Sequence, residues 1–365
     1  MVNIGPLLIY CFLSLHICSA MKHTKTRIVS YNVLSSHLAR VEHYPTLSPK
    51  HLKASNRLPV VFQKLDAEVA KKSVICLQEV SQDWAGKFHT YFASRGYHLV
   101  SGLYGKRFNG YMGCVIAWPV DTSDVLQVDI ARLSDKRKGG WPREPKQGII
   151  ARSFTGIVGK GRDVLESLGI VGRRPTDHWK MSENRFNILL SIQLQDKLSE
   201  KSYFVSTYHM PCAFYAPMVM TLHADLAAQH VQSLAGQCPY ILAGDWNIKP
   251  HDSTYNLLTT GMMDLGHPNW PTPKHGTEWA PAAKPMRSAY AESEHGEPDF
   301  TNYARAKEDE PFIDTLDYIF CSDHWDIDGV VPLPKREDAQ GPFPNLDVSE
   351  PSDHILIAAD LSLKA

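Results

Sequence analysis

The stretch Ile241-Leu242-Ala243-Gly244-Asp245-Trp246-Asn247-Ile248-Lys249-Pro250 joins three apolar residues to a glycine, an acid and an amide. We expect a buried strand that ends at Pro250. Side chains two residues apart on an extended chain point the same way, so Asp245 and Asn247 would present two oxygen ligands to one place. Mg²⁺ prefers such oxygens together with water and phosphate. A tight turn after a buried strand is the alternative interpretation, because glycine, aspartate, asparagine and proline are all turn residues.

Polar residues suited to metal binding or acid/base chemistry also stand at or near the ends of other strand-like runs. They are Asn32, Glu79, His209, Asp317 and the pair Asp353-His354. Packing of an apolar core does not predict this repeated placement of polar groups. The sequence therefore predicts a site where several strand ends meet.

These residues lie in short motifs that occur in a fixed order along the chain. The motifs are Tyr31-Asn32-Val33-Leu34, Ile75-Cys76-Leu77-Gln78-Glu79-Val80, Gly244-Asp245-Trp246-Asn247, Ser288-Ala289-Tyr290, Phe300-Thr301-Asn302-Tyr303, Leu316-Asp317-Tyr318-Ile319-Phe320 and Pro351-Ser352-Asp353-His354. From about Arg27 to Leu361 the chain resembles the endonuclease/exonuclease/phosphatase superfamily. Its Ser-Ala-Tyr and Thr-Asn-Tyr motifs are similar to those of the deadenylase clade that contains the carbon-catabolite-repressor deadenylase, nocturnin and the Angel proteins.

The resemblance implies an α/β sandwich of the deoxyribonuclease-like type, with two mixed sheets packed face to face, helices outside and an active cleft at the strand ends. It implies that Glu79, with Asn32 and Asp353 nearby, holds one Mg²⁺, which Mn²⁺ could replace. Asp245 and Asn247 would bind a second metal or orient the attacking water.

The resemblance also implies roles for the remaining site residues. His354, oriented by Asp317, and His209 would donate to the phosphoryl oxygens. Phe312 matches a base-stacking phenylalanine of the deadenylase clade. Asn109 begins a glycine-rich entry that borders the cleft in the superfamily, although a glycine hairpin or bulge explains this stretch equally well. Around His209 the chain has Thr-Tyr-His-Met instead of the family's Asn-Thr-His-Leu, which leaves the nearby substrate contacts open.

A serine-protease-like relay is a further way to interpret Ser352-Asp353-His354. Adjacent residues on an extended chain point to opposite faces, and no Gly-x-Ser-x-Gly elbow occurs in the sequence. These three residues therefore do not predict a relay. Water is the expected nucleophile.

Composition describes an ordinary globular protein, with 365 residues, 43% hydrophobic residues and a formal net charge of −1. Near-neutral charge provides no attraction of the whole protein toward nucleic acid, so any such attraction must be local. Residues 132–185 are the exception, with 13 lysines and arginines, 6 acids and the interleaved Trp141 and Trp179. This basic segment could follow a phosphate backbone and stack bases, or it could be a solvated insertion.

The N-terminal residues and the cysteines indicate different compartments. Residues 1–20 contain an apolar run with the length of a signal-peptide core and a small-residue cleavage site, but no positive start, so they are a signal, an anchor or an upstream extension. We expect the catalytic domain to occupy 21–365. The cysteines after residue 20 are odd in number and lie largely in apolar runs, which favours a reducing compartment instead of secretion. No transmembrane span is predicted, because the apolar run is too short.

By resemblance, the expected activity is Mg²⁺-dependent 3′–5′ hydrolysis of single-stranded RNA, with release of 5′-AMP from an adenylate tract. The alternatives are a phosphodiesterase or phosphatase acting on 2′,5′-linked oligoadenylate, a nucleotide cofactor, DNA or a sphingolipid headgroup, and a non-catalytic RNA-binding scaffold. Retention of Asp317 and the Asp353-His354 pair argues against a scaffold, since binding alone does not need them. No leucine-rich repeat is present, so no protein partner is predicted, and a monomer is the default expectation.

Overall fold

Two six-stranded mixed sheets lie face to face at the centre of the molecule, as predicted. The computed structural model describes residues 24–145, 176–306 and 310–364. In spatial order, the first sheet contains β13 (Trp325–Val330), β14 (Ile357–Leu363), β1 (Lys25–Asn32), β2 (Val74–Val80), β4 (Gly113–Pro119) and β3 (Tyr97–Leu103). The second contains β5 (Ser123–Arg132), β6 (Ile188–Asp196), β7 (Ser202–His209), β8 (Tyr240–Asp245), β12 (Asp317–Cys321) and β9 (Arg287–Ser288). A separate ribbon pairs β10 (Asn302–Ala304) with β11 (Phe312–Asp314).

Helices cover the outer faces of both sheets. They are α1 (Pro49–Leu52), α2 (Ala54–Ala70), α3 (Gln82–Ala93), α4 (His178–Glu183), α5 (Pro217–Ala235) and α6 (Ser253–Thr260). The apolar faces of α2 and α3 pack with the outward side chains of β1 and β2, whereas α5 packs on the second sheet. In the part of the chain that the structure describes, no helix has both the length and the apolar character needed to cross a membrane.

The core between the sheets explains where the polar site residues lie. Ile241 and Ala243 of β8, together with Ile319 and Cys321 of β12, point into this core. Successive side chains on a strand alternate between faces, so the next inward positions are Asp245 on β8 and, at the start of β12, Asp317. The site therefore continues the inner faces of the strands beyond the last apolar layer.

The described parts of the basic segment contradict a base-stacking role for Trp179. The side chain of Trp179 is buried, its indole N–H donates to the Thr272 carbonyl, and Trp141 packs against it. The guanidinium of Arg137 lies over both indole rings, at 5.0 Å from the ring centroid of Trp179. Trp179 is thus used in packing and has no free face for a base, whereas Trp141 is half-buried. Residues 146–175 of the segment, and the predicted leader at 1–20, lie outside the described residues.

One buried histidine outside the active site makes stability depend on pH. His223 of α5 is fully buried; its Nε2–H donates to the Ser182 carbonyl and its Nδ1 accepts from the Tyr208 hydroxyl. The neutral ring therefore has both nitrogens paired, and burial lowers the pKa of His223 to about 4. Because the unfolded chain takes up this proton near pH 6.5 while the folded chain does not, the stabilising contribution is complete above pH 6.5 and is lost as the pH falls toward 4.

We expect this histidine to remove about 2 kcal/mol from the free energy of unfolding between pH 7 and pH 5. Denaturant titrations of the wild type and of His223→Gln at both pH values measure it, because the variant lacks this titration. The wild type should lose about 2 kcal/mol more than the variant over that interval. Equal losses in the two proteins would show that His223 is not the responsible group.

Candidate active site

Strand register places three predicted residues in one row across the second sheet. His209, the last residue of β7, is paired with Asp245, the last residue of β8, and Asp245 is paired with Asp317, the first residue of β12. Residues that are paired across neighbouring strands share a face of the sheet, so all three side chains point toward the first sheet. All three are at least 95% buried. The row forms one wall of the site.

The first sheet supplies the opposite wall through Asn32 and Glu79. The side-chain amide of Asn32 donates to Asp245 Oδ2 at 3.0 Å, across the gap between the sheets, and to Glu79 Oε1 at 3.3 Å. The other carboxylate oxygen of Glu79 accepts the backbone N–H of Ser35 at 3.0 Å. The two carboxylates thus converge on one amide and lie beside His209, whose Nε2 is 3.4 Å from Asp245 Oδ2 and 3.9 Å from Glu79 Oε1.

A bulge in β2 turns Glu79 toward the site. Simple alternation gives the inward position to Gln78, whose amide donates to Thr207 Oγ1 across the sheets. The pairing of β2 with β4 shifts between Leu77 and Val80, and Glu79 has a φ of 59°. Bulges re-aim side chains, and a positive φ in a residue with a side chain carries a local energetic cost. This local distortion lets Glu79 and Gln78 both face inward.

The prediction that β8 stays extended as far as Pro250 is wrong. The strand ends at Asp245, and Asn247 has a φ of 50°, in the left-handed region. The backbone N–H of Asn247 donates to Asp245 Oδ1 at 3.0 Å, which is an aspartate turn, and the amide of Asn247 donates to the Met210 carbonyl. Both side chains are still buried near the site, but turn geometry instead of strand alternation places Asn247 there.

His354 is held by Asp317, as the sequence predicts. Its Nδ1 lies 2.7 Å from Asp317 Oδ2, which also accepts the Thr301 hydroxyl at 2.7 Å. The other ring nitrogen, Nε2, lies 3.7 Å from Asp245 Oδ2. Burial alone would lower the pKa of His354, but the nearby Asp317 and Asp245 carboxylates raise it well above the usual imidazole value. A protonated His354 can therefore donate a proton or a hydrogen bond near neutral pH.

A second histidine is oriented from the other side of the site. The Tyr104 hydroxyl lies 2.8 Å from His209 Nδ1, so that Nε2 is left facing Asp245 and Glu79. Burial raises the pKa of Tyr104 well above 10, which keeps this hydroxyl protonated. Burial also raises the pKa of Asp245, although His354 and His209 oppose the increase. The site thus places two imidazole Nε2 atoms beside one buried carboxylate.

Asp353 has different hydrogen-bond partners from its neighbour His354. Its Oδ2 accepts the Tyr44 hydroxyl at 2.8 Å. The loops that carry both residues are tied to the end of β1, because the Ser352 hydroxyl donates to the Asn32 carbonyl and the buried Arg57 donates to Pro351 O. Arg57 also donates to the carbonyls of Val33 and Leu34, and burial lowers its pKa to about 10.

The donor set fits a divalent cation. The carboxylates of Glu79 and Asp245 converge, and hard cations such as Mg²⁺ select carboxylate oxygens. Asn32 turns its NH₂ group toward these carboxylates, and its Oδ1 accepts the backbone N–H of Leu34. Asp317 Oδ1 is also buried without a hydrogen-bond partner among the residues that the structure describes. Ligand atoms of Asp245, Asp317 and His354 lie within 4.8 Å of one another. Because His354 Nδ1 is already bonded to Asp317, Nε2 is the nitrogen of this ring that could bind a ligand.

The two predicted substrate-contact residues lie outside this centre, on different segments of the chain. Phe312 is half-buried on β11; its ring centroid is 6.2 Å from that of the exposed Phe214, and Lys249 Nζ lies 5.2 Å from its centroid. Asn109 is buried, and its side-chain oxygen accepts the backbone N–H of Lys106, while its carbonyl accepts the Ser35 hydroxyl. Phe312 thus presents an aromatic surface, whereas Asn109 shapes the loop beside Glu79.

Sequence patterns did not indicate several residues that position the site. They are Tyr44, Arg57, Tyr104 and Ser35, and Gln78 and Thr301 stood out only as parts of motifs. Tyr104 and Tyr44 lie on irregular segments, so neither alternation nor spacing indicates their contacts. Gln78 had a usable signal, since it occupies the inward position next to Glu79.

Comparisons with known proteins identify the family of the chain. The family model described as the endonuclease/exonuclease/phosphatase family matches residues 29–354. The chain is 27% identical to the 2′,5′-phosphodiesterase 12 of Bos taurus over 348 residues, covering 93% of this chain and 52% of that protein. It is 23% identical to the CCR4-Not complex 3′-5′-exoribonuclease subunit Ccr4 of Aspergillus fumigatus over 381 residues, covering 93% of this chain and 51% of that protein. The chain therefore spans about half the length of these relatives.

A solved structure of ANGEL2, a 2′,3′-cyclic phosphatase, in complex with adenosine-2′,3′-vanadate shares the fold. Its TM-score is 0.67 at 18% identity, and the match covers 94% of this chain and 97% of that chain. The family match extends from β1 to His354 and so includes every strand end that carries a predicted catalytic or metal-binding residue. The protein is a member of the endonuclease/exonuclease/phosphatase family.

Proposed function

We propose that this protein is a Mg²⁺-dependent phosphodiesterase that removes 3′-terminal adenylate residues from single-stranded RNA and releases 5′-AMP. The observation that carries the proposal is the convergence of Glu79 and Asp245 on Asn32, next to the paired His354 and Asp317. A binding scaffold needs no such arrangement of buried acids and histidines. The Ccr4 relative, named as a 3′-5′-exoribonuclease subunit, supports the direction of hydrolysis.

Glu79 would hold the metal, with Asn32 nearby, and Asp245 and Asp353 are further proposed ligands. The bound cation would supply Lewis-acid stabilisation of phosphate charge. His209 and His354 would each present Nε2 to a phosphoryl oxygen, since their Nδ1 atoms are engaged by Tyr104 and Asp317.

The nucleophile in this proposal is water. Asp245 and Asn247 are the groups placed to orient it, because both are buried where β8 ends. The Ser352 hydroxyl is engaged by the Asn32 carbonyl and does not face a histidine ring nitrogen in any described contact. It is therefore a structural group in the loop that carries Asp353 and His354.

A second candidate substrate is 2′,5′-linked oligoadenylate. The observation that favours it is the similarity to 2′,5′-phosphodiesterase 12 over 93% of the chain. The two candidates share adenine and the phosphodiester chemistry, and they differ in the hydroxyl that carries the linkage. The same catalytic residues would serve both.

The purified protein, incubated in Mg²⁺ with labelled 3′,5′-oligoadenylate, 2′,5′-oligoadenylate, oligouridylate, oligocytidylate and single-stranded DNA, tests the proposal. We expect fastest turnover of 3′,5′-oligoadenylate, with 5′-AMP as the product and loss of activity in EDTA. Faster turnover of the 2′,5′ linkage would establish the second candidate. Activity without adenylate preference would assign the site to another phosphodiester, and activity on none of these nucleic acids would reject both candidates.

The ring of Phe312 provides a separate test of base stacking. Stacking of one base on an aromatic ring contributes roughly 1 to 3 kcal/mol. We therefore expect Phe312→Ala to lose roughly ten-fold in kcat/KM on 3′ oligoadenylate, with a much smaller loss on bis-p-nitrophenyl phosphate, which has no base. Steady-state kinetics on both substrates measure the difference.

The half-buried position of Phe312 requires a control for folding. Phe312→Leu keeps apolar packing against Phe214 but removes the aromatic face, so it should resemble Phe312→Ala in activity and the wild type in thermal stability. Equal losses on the oligonucleotide and on the small ester would indicate that Phe312 supports the ribbon of β10 and β11 instead of a base.

A further inference from the structure

A second cleft lies beside the loop after β1, whose residue Ser35 is hydrogen-bonded to Glu79. It is lined by His37, Arg40, Arg107 and Phe108 and has a volume of about 560 Å³. His37 and Arg40 belong to the loop after β1, and Arg107 and Phe108 belong to a short 3₁₀ turn after β3. This Arg40–Arg107 cleft is formed by different segments from those that carry Phe312.

Hydrogen bonds connect the cleft directly to the metal side of the catalytic centre. The backbone N–H of Ser35 donates to Glu79 Oε2 at 3.0 Å, and the Ser35 hydroxyl donates to the carbonyl of Asn109 at 2.9 Å. Ser35, two residues before His37, therefore links the first loop to Glu79. It also links that loop to Asn109, the residue directly after Phe108 in the 3₁₀ turn. A substrate extending from the centre in this direction would meet the cleft.

The side chains of the cleft have the chemistry of a nucleotide site. Arg40 and Arg107 are exposed, and neither lies within 4.0 Å of a carboxylate oxygen among residues 24–145, 176–306 and 310–364. His37 Nδ1 is 3.8 Å from Asp83 Oδ1, the one carboxylate among the described residues that approaches the lining. Phe108 is 66% exposed. Unpaired guanidinium groups suit phosphate, and an exposed ring next to them suits a stacked base.

Packing fixes the two loops against each other. Gly110, directly after the turn, has a φ of 65°, and a Cβ atom there would lie 2.3 Å from His37 Nδ1. The Gly110 carbonyl also accepts the backbone N–H of Gln82 at the start of α3. On the other side, Ala39 packs with Leu34, Tyr44 and Leu52 in a small apolar cluster. A site held in this way loses little conformational entropy when it binds a ligand.

We propose that the Arg40–Arg107 cleft binds a nucleotide of the single-stranded RNA substrate next to the catalytic centre. The two guanidinium groups bind its phosphate, and Phe108 stacks on its base. This inference rests on the proposed function and extends it, because it makes the enzyme bind the polymer at a second place beyond the scissile phosphate. In this arrangement no side chain of the cleft hydrogen-bonds to a base edge. The cleft therefore increases affinity for the polymer without selecting adenine.

The test compares Arg40→Ala/Arg107→Ala and Phe108→Ala with the wild type. The substrate is a ten-nucleotide adenylate with the linkage that the wild type hydrolyses faster. Binding is measured by fluorescence anisotropy in EDTA over a series of salt concentrations, and kinetics are measured in Mg²⁺ on the decamer and on bis-p-nitrophenyl phosphate. The double variant Lys201→Ala/Lys364→Ala is the matched control, since it removes the same charge from exposed positions. Lys201 precedes β7 and Lys364 follows β14, so each stands at the end of its strand that is far from the catalytic centre.

For the arginine variant we expect roughly ten-fold weaker binding of the decamer, with a higher KM and an unchanged kcat. The slope of log affinity against log salt should flatten by about 0.7 for each phosphate that the variant no longer binds. Phe108→Ala should weaken binding roughly ten-fold without changing that slope. The control and the small ester should show the wild-type values.

An unchanged salt slope and KM in the arginine variant, with the wild type active on the decamer, would overturn the cleft assignment alone. Losses of equal size in the lysine control would overturn it as well, because they would reflect net charge instead of a site. Failure of the wild type to bind or hydrolyse any adenylate decamer would overturn the proposed function together with this inference.

Discussion

Glu79→Ala is expected to reduce kcat/KM by about a thousand-fold or more. Metal assistance in phosphoryl transfer supplies several kcal/mol of charge stabilisation, and each 1.4 kcal/mol corresponds to a factor of about ten in rate. Glu79 lies where the metal would bind, because its carboxylate and that of Asp245 both accept from the Asn32 amide. Steady-state kinetics on the preferred oligoadenylate measure the loss, and a Mg²⁺ titration of the melting temperature measures metal binding.

The same substitution should have only a modest effect on folding. It leaves the backbone N–H of Ser35 without its acceptor, and an unpaired buried donor costs about 1–3 kcal/mol. Glu68→Gln is the matched control: Glu68 of α2 is also buried, and it pairs with Arg27 near the start of β1, whereas the site lies at the end of that strand. We expect the control to lose stability and keep kcat. If Glu79→Ala retains near-wild-type hydrolysis and the wild-type response to Mg²⁺, Glu79 is not a metal ligand.

Asp317→Asn is expected to cost about a thousand-fold in kcat with the fold intact. The substitution keeps the size of the side chain and an oxygen that can accept from His354 Nδ1–H and the Thr301 hydroxyl. It removes the negative charge that stabilises the protonated imidazole. Removing a carboxylate that orients a catalytic histidine has effects of up to about ten-thousand-fold in other hydrolases. Thr301→Val, which keeps the carboxylate and removes one hydrogen bond to it, should lose about ten-fold.

The pH profile distinguishes this electrostatic role from a purely structural one. Asp317 is the main group that raises the pKa of His354, against the effect of burial. In Asp317→Asn the pKa of His354 should therefore fall, and the imidazole should lose its proton at a lower pH than in the wild type. The alkaline limb of the kcat profile should move to lower pH in this variant and stay in place in Thr301→Val. A thousand-fold loss without any shift of that limb would indicate misplacement of His354 instead of loss of its proton.

Strand patterning in the sequence was enough to predict the general location of the site, whereas the two-sheet sandwich was predicted from the family resemblance. Alternate residues of the runs 241–243 and 319–321 are buried between the sheets, and a polar residue at the next inward position must then lie at the end of that core. His209, Asp245 and Asp317 follow this rule, and the register of three neighbouring strands places them in one row. Local periodicity suffices here because strand alternation is a property of the backbone itself.

The same rule fails at positions where the backbone leaves the extended conformation. Alternation from Ile75 and Leu77 would turn Glu79 away from the core between the sheets, but a bulge and a φ of 59° turn it inward. Asn247 reaches the site through an aspartate turn with a φ of 50°, after the strand has ended. Both conformations are costly on their own and persist because surrounding hydrogen bonds determine them.

By itself the sequence determined the class of fold, the residues with metal-binding and acid/base chemistry, and the strand ends on which most of them lie. The tertiary structure alone decided which groups touch: Asn32 bridges two carboxylates, Tyr104 orients His209, and Asp317 holds His354. The physical reason is range. Alternation and turn propensity act over a few residues, whereas the Asp317–His354 bond spans 37 positions and the Asn32–Asp245 bond spans 213, so these contacts depend on how the two sheets pack.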